Sequence, residues 1–373
     1  MEFKFSTMES MGMNFDFWKG KRVFLTGHTG FKGSWLSIWL KSLGAEVTGY
    51  SLKPNTKLNL FEEAKIDKSM FSIIGNILDL KKLQKSIKNA NPDIVIHMAA
   101  QALVQKSYKN PVETFSTNIM GTVNLLEAVR NSYGIKAVII ITSDKCYENK
   151  EWHWGYRENE PLGGYDPYSS SKACAEIITA AYRSSYFNEN QYNNHGLALA
   201  TARAGNVIGG GDWAENRLVP DLLKAFENKE QVRIRKPNAI RPWQHVLEPL
   251  RGYLILAEHL FHTGTNYAEA WNFGPNEKDV KSVLWITENM AKMWDKNVTW
   301  KIDEAENFHE ANFLKLDSSK ARVNLNWKPL LEVKDSLQLV IDWSKKRKLN
   351  KNVFDLTLEQ IKDYELLIVK QLN

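Results

Sequence analysis

Cysteine is nearly absent: of 373 residues only Cys146 and Cys174 carry a thiol. Two thiols cannot build a disulfide framework or a cysteine-based zinc site, and their scarcity fits a reducing compartment. A charge excess of one sign is missing too. The 49 basic and 43 acidic residues leave a net +6 spread along the chain, without the basic stripe or aromatic-basic interleaving of a nucleic-acid binder. So mild an excess still suits an anionic small molecule such as a nucleotide. No apolar run approaches the length of a membrane span, and residues 1–16 lack the continuous apolar core of a signal peptide. Repeats, low-complexity tracts and free linkers are lacking as well. The expectation is a soluble cytoplasmic protein with no nucleic-acid, membrane or metal partner, and with residues 1–16 as a disordered leader.

The chain is 43% apolar and 11% aromatic, enough for a large core in one big α/β domain or two joined ones. Residues 21–26 read as a strand running into Gly27-His28-Thr29-Gly30-Phe31-Lys32-Gly33, after which Trp35, Leu36, Trp39, Leu40 and Leu43 recur at helical spacing. Glycines in such a strand-turn-helix unit permit a tight turn, close approach of backbone to a pyrophosphate, and close helix packing, while the helix N-terminus faces the phosphate charge. A second strand over residues 46–51 ends in Tyr50-Ser51-Leu52-Lys53, without the carboxylate that would hold an adenosine ribose. The residues therefore leave NAD against NADP open, and Lys32 and Lys53 even suit a 2′-phosphate. Strands over 70–75 and 93–98, with the amphipathic stretch 79–88 between them, continue the alternation and predict a Rossmann-type doubly wound parallel sheet.

After the fourth strand, His97-Met98-Ala99-Ala100-Gln101 offers small residues for close cofactor approach, and His97 reads as a packed strand-end histidine ahead of a catalyst. Residues 112–131 carry Phe115, Ile119, Val123, Leu126 and Val129 at helical spacing, an apolar face for the core with a dimer interface for any remainder. The β-branched run 137–141 reads as a buried strand. That puts Thr142-Ser143-Asp144-Lys145-Cys146-Tyr147 at its carboxyl end, where open α/β sheets bind ligands. An acid and an amine side by side there can exchange protons with a substrate. Pro167 suits a helix start, which sets Tyr168 and Lys172 one turn apart on one face, and an ammonium beside a phenol favours the phenolate. A further strand is expected over 196–203. Beyond Gly209 the alternation breaks down into short helices and loops, the pattern of a smaller interleaved substrate domain carrying Arg217, Arg233, Arg235 and Arg241, whose forks match a pyrophosphate. Amphipathic helices are expected over 251–261 and 282–294, and Thr357-x-x-Gln360 reads as a capping box for a last helix.

The glycine turn, the serine after the fifth strand and the Tyr168/Lys172 pair together resemble the extended short-chain dehydrogenase/reductase superfamily, in its NAD-dependent epimerase/dehydratase family. Within it, Gly27 through Trp35, Thr142 through Tyr147, Trp154-Gly155-Tyr156-Arg157-Glu158, Gly209-Gly210-Gly211-Asp212-Trp213 and Ile240 through Pro249 are similar to the runs of the CDP-glucose 4,6-dehydratases. The likeness spans about residues 17–343. It implies a Rossmann domain over 17–208 and about 240–275, and a substrate-binding domain over 209–239 and 276–373. By the same resemblance NAD is held by Gly27, His28, Thr29, Gly30, Phe31, Lys32, Gly33, Asn76, Ile77, Ala99, Ala100, Gln101, Thr142, Tyr168 and Lys172. CDP-glucose is held by Gln101, Ser143, Asn206, Arg217, Arg235 and Arg241, and two copies pair through the helices at 113–130 and 168–182 in a homodimer or homotetramer.

The implied reaction, a step of deoxysugar biosynthesis, forms CDP-4-keto-6-deoxyglucose and water. Tyr168 takes the C4 hydroxyl proton as hydride leaves C4, Asp144 protonates the C6 hydroxyl as water departs, and the hydride returns at C6. Ser143, or Thr142 in its place, bonds the C4 oxygen, and Lys172 holds the nicotinamide ribose. Related dTDP- and GDP-sugar dehydratases have a glutamate after the acid where this chain has Lys145. Lys145 is then either a neutral base at C5 or a cation that stabilises the enolate while another group moves the proton. The rival readings are a C4 epimerase, a dehydratase of another nucleotide sugar, and a non-catalytic dinucleotide-binding regulator; the last is opposed by the presence of Tyr168 and Lys172.

Overall fold

Short apolar runs bounded by polar turns are stable as strands when helices cover both faces of their sheet. The computed structural model, which describes residues 12–295, 299–302, 311–349 and 351–372, places these runs side by side. β1 (Arg22–Thr26), β2 (Glu46–Ser51), β3 (Phe71–Ile74), β4 (Ile94–His97), β5 (Ala137–Ile141) and β6 (Ala198–Ala204) join a last strand, Ala270–Phe273. The seven run parallel in the order Ala270–Phe273, β6, β5, β4, β1, β2, β3. Every residue of β4, β5 and β6 is buried. The winding reverses between β1 and β4, so a crevice opens at their carboxyl ends.

One face of the sheet is covered by the Phe31–Ser42 and Leu247–Thr263 helices through Trp35, Leu36, Trp39, Leu250 and Leu254. The other is covered by Leu83, Ile87, Leu125, Leu126 and Val129. Beyond β6 a second cluster forms around Leu222, Phe226, Trp243, Ile286, Met290, Leu337 and Ile341. It supports a three-stranded sheet (Asn206–Ile208, Ile240–His245, Val280–Ser282) and a pair (Val232–Ile234, Trp300–Ile302).

Three expectations change. Residues 12–16 are ordered: Met13 is buried, and Asn14 caps a 3-10 turn, Phe15–Trp18, whose Phe17 and Trp18 enter the core; residues 1–11 of the expected leader lie outside the described residues. The last helix starts at Val353, with Asn352 Oδ1 accepting from Phe354 N at 3.0 Å, so Thr357 and Gln360 are interior and form no capping box. Their polar atoms are buried and serve helix packing, Thr357 Oγ1 accepting from Trp343 Nε1 at 3.1 Å and Gln360 Nε2 donating to Leu339 O at 2.8 Å. That helix also sits in the core of the large sheet, Tyr364 edge-on to Trp39 at 5.9 Å, and not with the smaller unit. Finally, the helix expected over 112–131 is interrupted by a π turn, Ser116–Met120, which turns Asn118 inward. Among the described residues no helix is long and apolar enough to cross a membrane.

Candidate active site

The glycine turn fits a dinucleotide pyrophosphate by what it leaves out. Gly27 has φ +74°, and a Cβ there would lie 2.7 Å from Ala99 N, at the point where β1 and β4 part. A Cβ on Gly33 would collide with the Gly27 carbonyl oxygen and lie 2.8 Å from His28 Cα. Gly30 caps the Phe31–Ser42 helix without a side chain, which leaves the first N–H groups of the helix turned to the crevice. Gly33→Ala is therefore expected to open the turn, at about 1–3 kcal/mol of stability, and to abolish the Tm rise that NAD gives the wild-type protein. Thermal melts with and without NAD check both.

The turn's side chains mostly hold the turn itself. His28 is buried beneath it, Nε2 2.8 Å from Ser72 Oγ, and burial pushes its imidazole down to about 4, so only its backbone is offered to a ligand. Thr29 Oγ1 donates to Leu52 O at 2.9 Å and shares a 2.8 Å bond with Ser51 Oγ. Phe31 and Lys32 line the cleft. Lys32 does not reach the end of β2, as a 2′-phosphate contact would require. It faces Lys172, Arg217 and Asp144, and burial together with the two cations pushes its amine down to about 7. Lys53 is exposed after β2. Asn76 is exposed after β3 and caps Leu78 N at 3.0 Å, beside the buried Ile77. Ala99 and Ala100 are half-buried at the crevice, Ala99 N held by Thr26 Oγ1 at 3.2 Å. His97 is the packed strand-end histidine, Nδ1 2.7 Å from Thr26 Oγ1, and burial lowers it to about 3.

Gln101 departs from its expected place against substrate. Its amide accepts from Leu103 N at 2.7 Å and donates to Thr114 Oγ1 at 2.9 Å, while its backbone N donates to Asn118 Oδ1 at 2.8 Å. The side chain fastens the loop after β4 to the Pro111–Phe115 helix, the backbone ties it to the π turn, and the residue does not line the cleft.

A cavity of about 700 Å³ opens at the carboxyl ends of the strands, and Ser143, Asp144, Lys145, Tyr168, Asn206 and Arg241 line it. Ser143 caps a single 3-10 turn, Asp144–Cys146, its Oγ accepting from Lys145 N at 3.2 Å and donating to Asp144 Oδ1 at 2.9 Å. The same hydroxyl bonds the Tyr168 phenol. The Thr142 hydroxyl goes instead to the Glu176 carboxylate in the core. Asp144 is buried, and its Oδ2 has no hydrogen-bond partner. Burial raises its carboxyl above the usual 3.8 against the pull of Lys145, Ser143 and Arg241. Gly205 makes room for it, since a Cβ there would come within 3.2 Å of Oδ2. Lys145 is half-buried at the same edge.

Tyr168 and Lys172 lie on one helix, Pro167–Ser185, started by Pro167 and capped by Asp166 through Ser169 N at 2.9 Å. Their electrostatics differ from the expectation. Burial pushes the phenol up to about 12, opposed by the Ser143 bond and by Arg217. Lys172 Nζ instead donates to Ile141 O at 3.1 Å, and burial lowers it to about 8 despite Glu176. The cation acting on the phenol is therefore Arg217, which is held by Asp212 at 2.9 Å. Arg241 donates to the carbonyls of Ile240, at 2.9 Å, and Ala311. Arg235 meets the Gln105 amide, and Arg233 is exposed at the mouth. Cys146 is buried with raised thiol pKa, a packing residue.

Behind the site is a polar layer that sequence reasoning missed. Glu176 accepts from Arg203 Nη2 at 2.8 Å, from Thr201 at 2.7 Å and from Thr142, while Arg203 Nη1 donates to Tyr147 OH at 2.8 Å. Burial pushes Glu176 up, but Arg203 and the two threonines hold it below the usual carboxylate range. The signal available was a glutamate one turn after Lys172 and an arginine near the end of an otherwise uncharged, alanine-rich strand. Arg203→Met would leave Glu176 buried and unpaired, a cost of about 3–5 kcal/mol, measurable as a lower urea midpoint.

The model of the GDP-mannose 4,6 dehydratase family matches residues 24–340, which takes in the glycine turn, the Ser143–Asp144 edge and the Tyr168 helix. The chain belongs to the GDP-mannose 4,6 dehydratase family. Among relatives, a CDP-glucose 4,6-dehydratase of Salmonella typhimurium is 53% identical over 349 residues, covering 94% of this chain and 97% of that protein. The fold is shared with a dTDP-glucose 4,6-dehydratase from Bacillus anthracis solved with NAD (TM-score 0.72, 21% identity, 88% of this chain and 97% of that one). A Thermotoga maritima UDP-glucose 4-epimerase solved with UDP-glucose is similar too (TM-score 0.75, 23% identity, 87% and 99%). Dehydratases and epimerases thus share this frame.

Proposed function

We propose that this protein is an NAD-dependent hydro-lyase that converts CDP-glucose to CDP-4-keto-6-deoxyglucose and water, in the cytoplasm. The observation that carries the reading is the buried Asp144, with one carboxyl oxygen unpaired, next to a Ser143 hydroxyl bonded to Tyr168. The 53% identity to a CDP-glucose 4,6-dehydratase supports the choice of nucleotide. Tyr168 receives the C4 hydroxyl proton as the phenolate, the form that Arg217 and the Ser143 hydroxyl favour against burial. Ser143 donates to the C4 oxygen and steadies the carbonyl that develops there. Asp144, whose carboxyl burial pushes above the usual range, delivers its proton to the departing C6 oxygen. Lys145 faces C5. Lys172 holds the ribose next to the nicotinamide, Arg217 and Arg241 with Asn206 take the pyrophosphate side, and Arg235 meets the nucleotide beyond it. Bound NAD supplies a hydride acceptor at C4 that returns the hydride at C6. An epimerase has no use for a buried acid beside the serine, so Asp144 favours elimination.

A homodimer built on the 113–130 and 168–182 helices is supported by apolar side chains left on the surface there, Val112 at 77%, Met120 at 49% and Ile177 at 55% exposure. Incubating the protein with CDP-, dTDP-, GDP- and UDP-glucose and following the 4-keto product by NMR tests the assignment. Product from CDP-glucose alone is expected; product only from another nucleotide sugar would overturn it.

A further inference from the structure

The cleft has to hold a dianionic pyrophosphate, yet a carboxylate stands in it far from the chemistry. Asp221 lies in the first turn of the Leu218–Asn228 helix, which packs on the Val232–Ile234 strand, and it lines the cavity. Most other carboxylates of the lining have tasks: Asp144 meets the sugar, Asp166 caps the tyrosine helix, Asp212 holds Arg217, Glu148 pairs with Lys150, and Glu151 takes Asn312 N, while Glu215 is exposed to solvent at the rim. Asp221 has none of these. The nearby Arg235 guanidinium and the Asn216 backbone both pull its carboxyl down, and Gln105, on the same cavity wall, is placed to meet Arg235 and Asn216. The groups acting on Asp221 are Arg235, Lys224, Glu215 and Asn216, and none of them acts on Asp144, whose neighbours are Lys145, Ser143 and Arg241. Asp221 therefore marks a separate end of the cleft.

With the reacting sugar at Ser143, Asp144 and Tyr168 and the pyrophosphate on Arg217 and Arg241, the part of the ligand left for the end that holds Asp221 and Arg235 is the nucleobase. Cytosine carries an amino donor at C4 next to acceptors at N3 and O2, whereas uracil and thymine carry an acceptor at C4 and a donor at N3. A carboxylate accepts from the cytosine amino group and repels a carbonyl oxygen in its place. A guanidinium next to it supplies the donor that N3 or O2 needs. With the carboxylate at the C4 substituent and the guanidinium at N3 or O2, acid and base match the cytosine edge, whereas uracil or thymine in the same register sets a carbonyl oxygen against the acid and an N–H against the base.

We propose that Asp221, paired with Arg235, reads the cytosine edge of the substrate and selects CDP-sugars over UDP- and dTDP-sugars. The inference rests on the dehydratase reading and adds the residue that sets its nucleotide. Part-burial, which pushes the carboxyl up to about 6 against the pull of Arg235, shows that the group is desolvated enough for such discrimination.

The test is calorimetric titration of CDP and of UDP into the NAD-loaded wild-type protein, Asp221→Ala and Asp221→Asn, with CDP-glucose turnover by the wild type measured alongside. Asp221→Ala is expected to weaken CDP by about 5- to 150-fold while UDP holds or tightens. Asp221→Asn, which offers an amide donor to a C4 carbonyl, should tighten UDP and narrow the CDP:UDP ratio further. An unchanged ratio in Asp221→Ala overturns the assignment, and so does an equal loss of both nucleotides, which would place Asp221 with the phosphates or the fold. If the wild type fails to turn over CDP-glucose, the dehydratase reading falls on its own. If it turns over CDP-glucose and the ratio does not move, only Asp221 is reassigned.

Discussion

Asp144→Asn is expected to oxidise the sugar at C4 and then stall, with water loss slowed by about 10²- to 10⁴-fold, the usual worth of a positioned general acid. The carboxamide keeps the shape of the side chain and leaves an acceptor for the Ser143 hydroxyl, so Tyr168 can still collect the C4 proton. What it cannot do is release a proton to the C6 oxygen. Rapid-quench analysis should show NADH accumulating with the 4-keto sugar still carrying its C6 hydroxyl; normal turnover would remove Asp144 from the acid role. The same variant should gain stability at neutral pH. Because burial raises the carboxyl above 3.8, the folded protein binds more protons than the unfolded chain between 3.8 and the raised value. Stability through this group accordingly falls as pH rises across that window, and stays lowered above it. Asparagine has no such slope. Urea midpoints at pH 5 and pH 8 should therefore fall less for Asp144→Asn than for the wild type, a stability gain matched by a loss of function.

The parts of this site that lie close together in the chain were legible from it. The glycine turn, the Ser143–Asp144–Lys145 edge and the Tyr168/Lys172 pair each follow a strand or open a helix whose periodicity fixes where the side chains point. The parallel sheet followed from the same alternation of apolar runs and helices. Contacts between distant segments were not legible. Glu176 and Arg203 are 27 residues apart and meet only because β6 stacks beside β5 under the tyrosine helix. Gln101 was expected at the ligand by resemblance, but the π turn brings Asn118 to its backbone and the helix before it brings Thr114 to its amide. Thr357 and Gln360 have capping spacing, yet burial between helices uses their polar atoms for packing. Lys32 stands at the second position of its helix, which suggested phosphate, and the helix axis carries it toward Asp144 instead. Asp221 was passed over among the arginines around it, since only the cavity shows which of those charges face one space.

Lys145→Met should abolish exchange of the C5 proton with solvent while C4 oxidation persists, a drop of about 10²- to 10⁴-fold in deuterium wash-in. Lys145 directly follows the acid, so an amine and a carboxyl at one edge can serve C5 and C6 of the same ring. A second amine complicates that assignment. Lys32 also lines the cavity, and burial with Lys172 and Arg217 nearby lowers it to about 7, so a large share of it is neutral near physiological pH. The two are separable because they hang from opposite sides of the crevice, Lys145 after β5 and Lys32 in the turn after β1. Methionine preserves the length of each stem and removes only the amine. If Lys145 moves the proton, Lys145→Met kills exchange and Lys32→Met leaves a measurable rate. Full-rate exchange in Lys145→Met, with exchange lost in Lys32→Met, would transfer the role to the glycine-turn lysine. Lys145 would then be the cation that steadies the enolate, and its removal would slow the step without stopping it.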